Sequence, residues 1–374
     1  MRQQTRTIHE GTLRDPGTGG VNTPVYTSSA NAYIDRDAAV YPRYFNTPNQ
    51  NAVGQKIAAL ENAEAGLVFS SGMAAISTSI LAFAGKGDNV VMLDALYGGT
   101  HHFATQWFEH FGIDCTFTKT HARDVINGVS DQTRVIVIES PTNPLLAVVD
   151  IREIAKFARQ NNIVTIIDNT FATPMNQAPL DLGIDIVVHS GTKYLGGHSD
   201  MCCGMVACSR EKMEKISGLA TVLGPCLDPR ICYLLERSMK TLALRVEGQT
   251  KNALALAQFL DNHPAIAKVY YPGLTSFEGH AIATSQMTGF GAMFSFELKE
   301  VDPDLFISKL KVVIPAVSLG GVESTICSPS LTSHAKMTRQ ERLRIGVTDS
   351  LLRFSTGLEH IEDLKQDIDT ALKI

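Results

Sequence analysis

Residues 163–200 read IVTIIDNTFATPMNQAPLDLGIDIVVHSGTKYLGGHSD, and this stretch contains the pattern that decides the fold. Two short apolar runs, Ile163 to Ile167 and Ile186 to Val188, each lead into polar residues. Continuous apolar strands that alternate with helices predict an α/β fold with a mostly parallel sheet covered on both faces. The alternation extends upstream, with apolar runs at 90–93 and 134–138 and stretches of helical period at 100–111 and 151–161.

Acidic side chains stand at the ends of several apolar runs. Asp94, Glu139 and Asp168 each close one of them. In sheets of this kind, ligands bind beyond the carboxyl ends of the strands. We therefore expect these three carboxylates to lie near one edge of the sheet.

The loop after the last of these runs carries Lys193. Glycines and small hydroxyl residues surround this lysine, so its amine can be enclosed without crowding. Burial disfavours the charged form of an amine, and a neutral amine can form a Schiff base. The hydroxyls of Ser190 and Thr192 suit a phosphate group. Taken alone, the same fragment also fits a surface lysine in a glycine-rich loop.

Three further fragments acquire a meaning beside such a lysine. Asp168 could keep the nitrogen of a pyridine ring protonated, or it could simply cap a loop. Gly72 and Met73 open a helix after two serines, where free amides and the helix dipole favour an anion. Tyr97, on a glycine-containing turn, could stack on a flat cofactor or be an ordinary loop residue.

The composition of the chain favours a two-domain enzyme. With 374 residues, 44% of them hydrophobic, the chain can bury one large α/β domain and a smaller one. The pattern changes near residue 230, which predicts a large domain over 48–230 and a smaller α+β domain over 231–374. Beyond this point the pattern predicts a long helical stretch from Arg230 to about Asn262 and a strand over 289–296. Residues 1–47 are rich in aromatic side chains but lack periodicity, which is typical of an arm that docks on a neighbouring subunit.

Charge and cysteine usage exclude several classes of protein. The net charge is −5 and no basic stripe is present, so nucleic acid is not an expected partner. Seven cysteines without a Cys-x-x-Cys pair predict neither a disulfide framework nor a metal site. We assign Cys202 and Cys203 to packing. Because the chain shows no signal peptide and no apolar run of membrane length, we expect a cytoplasmic protein.

The fragments also occur in a characteristic order. In that order and spacing they closely resemble the Cys/Met-metabolism family of pyridoxal-phosphate (PLP) enzymes over essentially the whole chain. The resemblance implies PLP as the cofactor and fold type I, the aspartate-aminotransferase-like fold. Besides the fragments described above, the resemblance rests on four further motifs: Glu139-Ser140-Pro141-Thr142-Asn143-Pro144, Ser318-Leu319-Gly320-Gly321, Thr332-Ser333-His334 and Arg353-Phe354-Ser355-Thr356-Gly357.

The resemblance implies a role for each matching position. Lys193 would bind the cofactor covalently and then move protons along the substrate. Asp168 would pair with the pyridinium nitrogen, and Tyr97 would stack on the ring and assist proton transfer. Arg353 would grip the substrate carboxylate as a bidentate fork, helped by Asn143 and Ser318. The phosphate would be held by Gly72, Met73, Ser190 and Thr192.

Tyr41 and Arg43 resemble a Tyr-x-Arg pair that reaches the phosphate of a neighbouring subunit in this family. The resemblance therefore implies a homo-oligomer with a dimer as its minimal unit, and commonly a tetramer. The chain departs from the family pattern at Pro42, which fixes one backbone angle between the two residues.

Two valines bear on which reaction the chain catalyses. Enzymes of the family that handle cystathionine by γ-chemistry usually carry an acid before the Tyr-x-Arg pair and another before the Ser-Leu-Gly-Gly motif. This chain has Val40 and Val317 there. A charged ammonium facing two valines would lose hydration without gaining a partner, whereas a thioether methyl would not. Methionine γ-lyases resemble the chain in this respect, although they have a cysteine where it has Gly99.

The preferred interpretation is a carbon–sulfur lyase that releases a thiol, ammonia and a 2-oxo acid. The candidate substrates are methionine, homocysteine and cystathionine, in that order. The main alternative is a γ-replacement synthase, such as cystathionine γ-synthase or O-acetylhomoserine sulfhydrylase. A binding protein that keeps the cofactor without turnover is a further alternative, disfavoured by the intact Lys193, Asp168, Tyr97 and Arg353. An aminotransferase is another, disfavoured because the resemblance is to the sulfur branch.

Overall fold

The computed structural model describes residues 1–34, 37–333, 335 and 338–373, so His334 of the Thr-Ser-His motif lies outside the described residues. Its larger sheet has seven strands in the order β1-β7-β6-β5-β4-β2-β3. Strands β6, β5, β4, β2 and β3 run parallel, and β7 is antiparallel to both of its neighbours. The predicted, mostly parallel sheet is confirmed. Its strands are β1 (Ala65–Phe69), β2 (Asn89–Leu93), β3 (Asp114–Thr118), β4 (Thr133–Glu139), β5 (Val164–Asp168), β6 (Ile186–Ser190) and β7 (Gly204–Cys208).

A second sheet of five strands follows in sequence, in the order β10-β11-β12-β9-β8. Its pairs are antiparallel, except for the short parallel pair β10–β11. Its strands are β8 (Ile266–Tyr270), β9 (Met293–Leu298), β10 (Ile314–Pro315), β11 (Thr325–Cys327) and β12 (Leu351–Ser355).

Helices connect the strands of both sheets. Single helical turns of the 3₁₀ type also occur at Pro42–Tyr44 and Pro179–Leu182. The α-helices are α1 (Gln3–His9), α2 (Pro48–Leu60), α3 (Gly72–Leu81), α4 (Gly98–Phe111), α5 (Ala122–Asn127), α6 (Ile151–Gln160), α7 (Thr173–Asn176), α8 (Arg210–Leu223), α9 (Pro229–Met239), α10 (Leu242–Asp261), α11 (His280–Gln286), α12 (Pro303–Lys309), α13 (Arg339–Arg344) and α14 (Ile361–Leu372).

The large sheet is buried on both faces. Along β7, Met205 and Ala207 pack into one hydrophobic cluster, whereas Val206 and Cys208 pack into another. Because successive side chains of a strand point to opposite faces, this split shows that both faces are covered. The apolar runs in the sequence are therefore continuous because the strands are covered on both faces of the sheet, as inferred above.

Local signals in the sequence set several helix starts. The Asp150 carboxylate accepts a hydrogen bond from the Glu153 amide at the start of α6, as the spacing of the two residues predicts. Helix α2 begins with a complete capping box between Thr47 and Gln50, followed by Pro48 at its first position.

Two segments differ from the sequence-based prediction. The helical stretch expected over 230–262 is broken at Lys240 and Thr241 into α9 and α10. The strand expected over 289–296 begins only at Met293.

The start of the predicted arm belongs with its own chain. Helix α1 packs on α2 and α10 of the same subunit, where Gln3 Nε2 donates to the Leu60 carbonyl at 2.8 Å and Arg6 Nη1 to the Ala59 carbonyl at 2.8 Å. Docking of the remaining arm residues on a neighbouring subunit, and the domain boundaries, stay predictions. Within the described part of the chain, no helix has the length and hydropathy required to span a membrane.

Candidate active site

A cavity of about 610 Å³ opens at the carboxyl ends of the parallel strands. The position agrees with the rule that ligands of such sheets bind beyond the strand ends. Residues far apart in the sequence meet there, from the starts of α3 and α4 to the loop before β11 and strand β12. Among its lining residues are eleven of the predicted site residues: Gly72, Met73, Tyr97, Asn143, Asp168, Ser190, Thr192, Lys193, Val317, Ser318 and Arg353.

The amine of Lys193 points into this cavity. Its Nζ donates to the hydroxyl of Ser318 at 2.6 Å. Burial lowers the pKa of Lys193, and the nearby guanidinium of Arg353 lowers it further. Both effects favour the neutral amine, which is the form that attacks a carbonyl carbon.

The carboxylate of Asp168 lies at the end of β5. Its Oδ1 accepts hydrogen bonds from the amide of Thr170 at 3.0 Å and from the Thr170 hydroxyl. That hydroxyl in turn accepts the Ser190 amide at 2.8 Å, so the ends of β5 and β6 are joined. Burial raises the pKa of Asp168. A cationic ring nitrogen placed against it would favour the charged carboxylate and stabilise the pair.

The start of α3 forms a cradle for an anion. The Ser71 hydroxyl caps the helix by accepting the Ala74 amide at 3.1 Å. The amides of Gly72 and Met73 belong to the first turn and have no acceptor within the helix. A Cβ atom at Gly72 would lie 2.8 Å from the Cβ of Ser190, so only glycine allows this close approach to β6.

Thr192 lines the cavity, but its hydroxyl is engaged elsewhere. It donates to the Cys203 carbonyl at 3.2 Å and accepts the Cys203 amide at 3.1 Å. These bonds fix the loop that carries Lys193. Between the two predicted phosphate-binding hydroxyls, the geometry therefore favours Ser190.

Tyr97 ends the turn before α4, with its ring about half exposed. A Cβ atom at Gly99 would lie 2.6 Å from Cε1 of the Tyr97 ring and 2.8 Å from the Met73 sulfur. With the Tyr97 ring in this position, any side chain at residue 99 would overlap it, and glycine avoids the overlap. The backbone of Tyr97 is fixed by Glu139, because the Tyr97 amide donates to Oε2 of Glu139 at 2.8 Å.

Arg353 on β12 is buried and lies beside the lysine. Its Nη1 donates to Oδ1 of Asn143 at 3.0 Å and its Nη2 to the Ser318 carbonyl at 3.2 Å. Among the described residues, no carboxylate forms an ion pair with Arg353. Its guanidinium is therefore preoriented by neutral acceptors and still available to an anionic ligand.

Three predicted residues do not line the cavity of this single chain, namely Val40, Tyr41 and Arg43. Arg43 Nη1 donates to the Thr221 carbonyl at 2.7 Å. Its guanidinium also lies over the rings of Tyr41 and Tyr44, at 5.8 and 5.4 Å from their centroids. Both rings are substantially exposed, which leaves them free to contact another subunit.

The cavity also contains residues that the sequence did not assign to the site. Glu139 was expected near this edge of the sheet, but without a role, whereas Asp94 does not line the cavity. Cys203 is buried in the core as predicted. Cys202 is exposed and lines the cavity, so its assignment to packing was wrong. Successive side chains of an extended segment face opposite ways, so the sequence could have assigned Cys202 and Cys203 to different surroundings.

These residues fit PLP. A lysine with a lowered pKa, a buried carboxylate, an aromatic ring and a helix start without Cβ obstruction face one cavity. They match the aldehyde, the ring nitrogen, the ring face and the phosphate of that cofactor.

Comparisons with known proteins extend over the same residues. The family model for Cys/Met metabolism PLP-dependent enzymes matches residues 4–373. The chain is 42% identical to the cystathionine gamma-lyase of Bacillus subtilis, with 100% of both chains covered. It is 41% identical to cystathionine beta-lyase MetC of the same organism, over 99% of this chain and 96% of the relative. It is also 41% identical to the L-methionine gamma-lyase of Fusobacterium nucleatum, over 99% and 97%.

A solved structure gives the same result. The crystal structure of cystathionine gamma-lyase from Lactobacillus plantarum, complexed with L-serine, matches with a TM-score of 0.95 and 41% identity. The match covers 99% of this chain and 98% of that chain.

Proposed function

Because the chain belongs to the Cys/Met metabolism PLP-dependent enzymes and has their type I fold, we propose that it is a carbon–sulfur lyase of sulfur amino acids. One observation carries the proposal. The side chains of Lys193, Asp168 and Arg353 line one cavity, and Val317 rather than an acidic residue stands at its rim. The relatives named above include lyases of cystathionine and of methionine at nearly equal identity, so they support the class of reaction more than the substrate.

When bound, PLP supplies an electron sink for negative charge that develops at the α-carbon of an amino acid. Lys193 is the base that takes the α-proton and returns protons along the substrate chain. Its lowered pKa gives it the neutral amine that this role needs. Asp168 holds a proton at the ring nitrogen, and the bonds from Thr170 keep its carboxylate in position.

Arg353 binds the carboxylate of the amino acid. Its two bonds, to Asn143 and to the Ser318 backbone, fix the plane of the guanidinium before the substrate arrives. A fork that is already oriented loses little side-chain entropy on binding. The Ser318 hydroxyl, 2.6 Å from Nζ of Lys193, keeps the base beside this clamp.

Val317 supports methionine as the first candidate substrate, before homocysteine and cystathionine. Its side chain is 69% exposed and faces the cavity. A thioether methyl can lie against it, whereas the distal ammonium of cystathionine would find no anionic partner at this position. Val40 does not line the cavity of its own chain, so any contribution from it requires the neighbouring subunit.

The active unit in this proposal is at least a homodimer. Tyr41 and Arg43 lie outside the cavity of their own chain, and in the proposed dimer they serve the phosphate site of the neighbouring subunit. The proposal also includes a tetramer of two such dimers and a cytoplasmic location. It places the domain boundaries after residues 47 and 230.

The deciding experiment measures release of 2-oxo acid and ammonia by the PLP-loaded enzyme, and release of acetate where O-acetylhomoserine is the substrate. It is offered methionine, homocysteine, cystathionine and O-acetylhomoserine, the last with and without a thiol. Release from a sulfur amino acid without added thiol is expected. With cystathionine, 2-oxobutanoate identifies cleavage on the γ side, and pyruvate identifies cleavage on the β side.

A different pattern would contradict the proposal. Turnover only when O-acetylhomoserine and a thiol are both present would make the protein a γ-replacement synthase. A cofactor spectrum that responds to substrates without any turnover would instead favour a binding protein. In both cases Val317 would be an ordinary packing residue of the rim.

A further inference from the structure

Glu139 is a carboxyl group of the site to which the reaction described above gives no task. It ends strand β4, directly opposite Asp168 in the parallel register of β4 and β5. Its side chain is only 4% exposed, yet it lines the cavity. Two carboxyl groups therefore lie side by side at the base of the site.

The contacts of Glu139 join two separate parts of the site. Its Oε2 accepts the amide of Tyr97 at 2.8 Å, across 42 residues of sequence. The backbone amide of Asn143 lies close enough to lower the pKa of this carboxyl group. Tyr97 carries the ring placed to stack on the cofactor, and Asn143 is the partner of Arg353 in the carboxylate clamp.

Keeping an acid at this position is costly. Burial and the neighbouring Asp168 raise the pKa of Glu139 well above its usual value, whereas the two amides and Arg353 oppose the shift. A neutral side chain at a strand end would avoid this penalty. The acid is nevertheless present here, where it accepts the Tyr97 amide and lies beside the Asn143 amide.

We propose that Glu139 is a positioning residue that holds the backbone of Tyr97 and of Asn143 in one fixed relation. The orientation of the stacking ring and that of the carboxylate clamp are thereby set together by a single side chain. The inference rests on the proposed function, because Tyr97 and Arg353 face cofactor and substrate only in a PLP enzyme that acts on amino acids.

The test compares Glu139→Ala and Glu139→Gln in the full-length enzyme. The readouts are the Kd for PLP, measured by titrating the apoenzyme, the circular dichroism of the visible cofactor band, and KM and kcat for the best substrate. Asp94→Asn is the matched control, because Asp94 also follows a strand of the sheet but does not line the cavity.

Glu139→Ala is expected to change the shape or sign of the cofactor band and to weaken PLP binding about tenfold or more, the order expected when a buried amide loses its acceptor. KM should rise with it. Glu139→Gln keeps one acceptor for the Tyr97 amide, so it should restore most of the dichroism and bring the Kd for PLP back to within about threefold of the wild-type value. Asp94→Asn should leave all three readouts unchanged.

An alanine variant with wild-type dichroism, Kd and KM would overturn the proposal. If that variant does not fold, Glu139→Asp decides, since it keeps the carboxyl group but moves the acceptor back by the length of one methylene. It should then disturb the dichroism, and a normal band would be the contradicting result. Dichroism and Kd use PLP alone, so they remain decisive even if the proposed lyase activity were absent.

Discussion

At the scale of single residues, the chemistry of the site depends on where each group meets its neighbours. The positions of Lys193 and Asp168 near one edge of the sheet could be predicted from the sequence, because each follows a buried strand and the ends of parallel strands converge, whereas their roles came from the resemblance to the family. Glu139 has the same kind of position, but its role comes from an amide 42 residues upstream, which no local pattern reveals. Cys202 was misassigned because the loop after Lys193 turns it into the cavity.

Removing the amine of Lys193 should remove covalent attachment of the cofactor. Lys193→Ala is expected to lose the visible absorption band of the loaded enzyme, because no other lysine lines the cavity in the described part of the chain. Absorption spectra recorded before and after gel filtration measure this. The control is Lys251→Ala, an exposed lysine on α10. A band that survives filtration in Lys193→Ala would exclude this lysine as the attachment site.

An acid introduced at the rim should change substrate preference. Val317→Glu places a carboxylate beside the cavity, where it can pair with the distal ammonium of cystathionine. The ratio of kcat/KM for cystathionine to that for methionine should rise about tenfold, the order of a partly exposed charge-assisted bond. Val312→Glu is the matched control, since Val312 is partly exposed but does not line the cavity. An unchanged ratio would contradict the argument from the rim.

At the scale of elements, the main departure from the sequence-based prediction is the break between α9 and α10. No glycine or proline marks it, so the local sequence reads as one helix. At the break, Nη2 of Arg245 on α10 donates to the Ser238 carbonyl at 2.9 Å, near the end of α9. The same guanidinium donates through Nη1 to the Tyr194 carbonyl at 2.7 Å. One buried side chain thus joins the break between the helices to the loop that follows Lys193.

Replacing Arg245 should therefore weaken cofactor binding as well as stability. In Arg245→Met, the Tyr194 carbonyl loses its buried donor, at a cost of about 1–3 kcal/mol, whereas the Ser238 carbonyl keeps the bonds from Thr241. We expect a lower melting temperature for the apoenzyme and a raised Kd for PLP. Arg237→Met is the control, because Arg237 lies on the exposed side of α9. If the melting temperature falls while the Kd for PLP stays constant, Arg245 supports the helices but not the lysine loop.

At the scale of the whole molecule, stability should respond to pH through a lysine far from the chemistry. Lys56 on α2 is fully buried, and its Nζ donates to the Thr7 carbonyl of α1 at 3.0 Å. Burial lowers its pKa from 10.5 to about 8, with partial opposition from Glu236. Between these two values the unfolded chain binds a proton that the folded chain does not. The contribution of Lys56 to stability therefore rises with pH across that window and is constant below it.

The difference in melting temperature between wild type and Lys56→Met isolates this contribution. Measured from pH 7 to pH 10 at one scan rate, the difference should move in favour of the wild type above pH 8. The same series with Lys251→Met, at an exposed position of α10, should stay flat. A flat Lys56 series would mean that this lysine keeps its ordinary pKa in the folded enzyme.

The arm bears on how two subunits share an active site. The resemblance to the family implies that Tyr41 and Arg43 reach the phosphate of a neighbouring subunit, and in their own chain Arg43 contacts α8 and the ring of Tyr41, outside the cavity. If they serve the neighbouring subunit, each active site takes Lys193 from one chain and Arg43 from the other. A subunit carrying Arg43→Ala and one carrying Lys193→Ala then hold complementary defects.

Hybrid dimers of the two inactive variants should therefore recover activity. Each hybrid has one site with both native residues and one site with neither. Random pairing makes about half of the dimers hybrid, so the unseparated mixture should have about a quarter of wild-type activity. Co-expression with two different affinity tags allows the hybrid to be isolated and assayed. Each variant alone, carried through the same purification, is the control. A hybrid as inactive as its parents would mean that Arg43 acts on its own chain, and the arm would then be a structural element without a part in the neighbouring site.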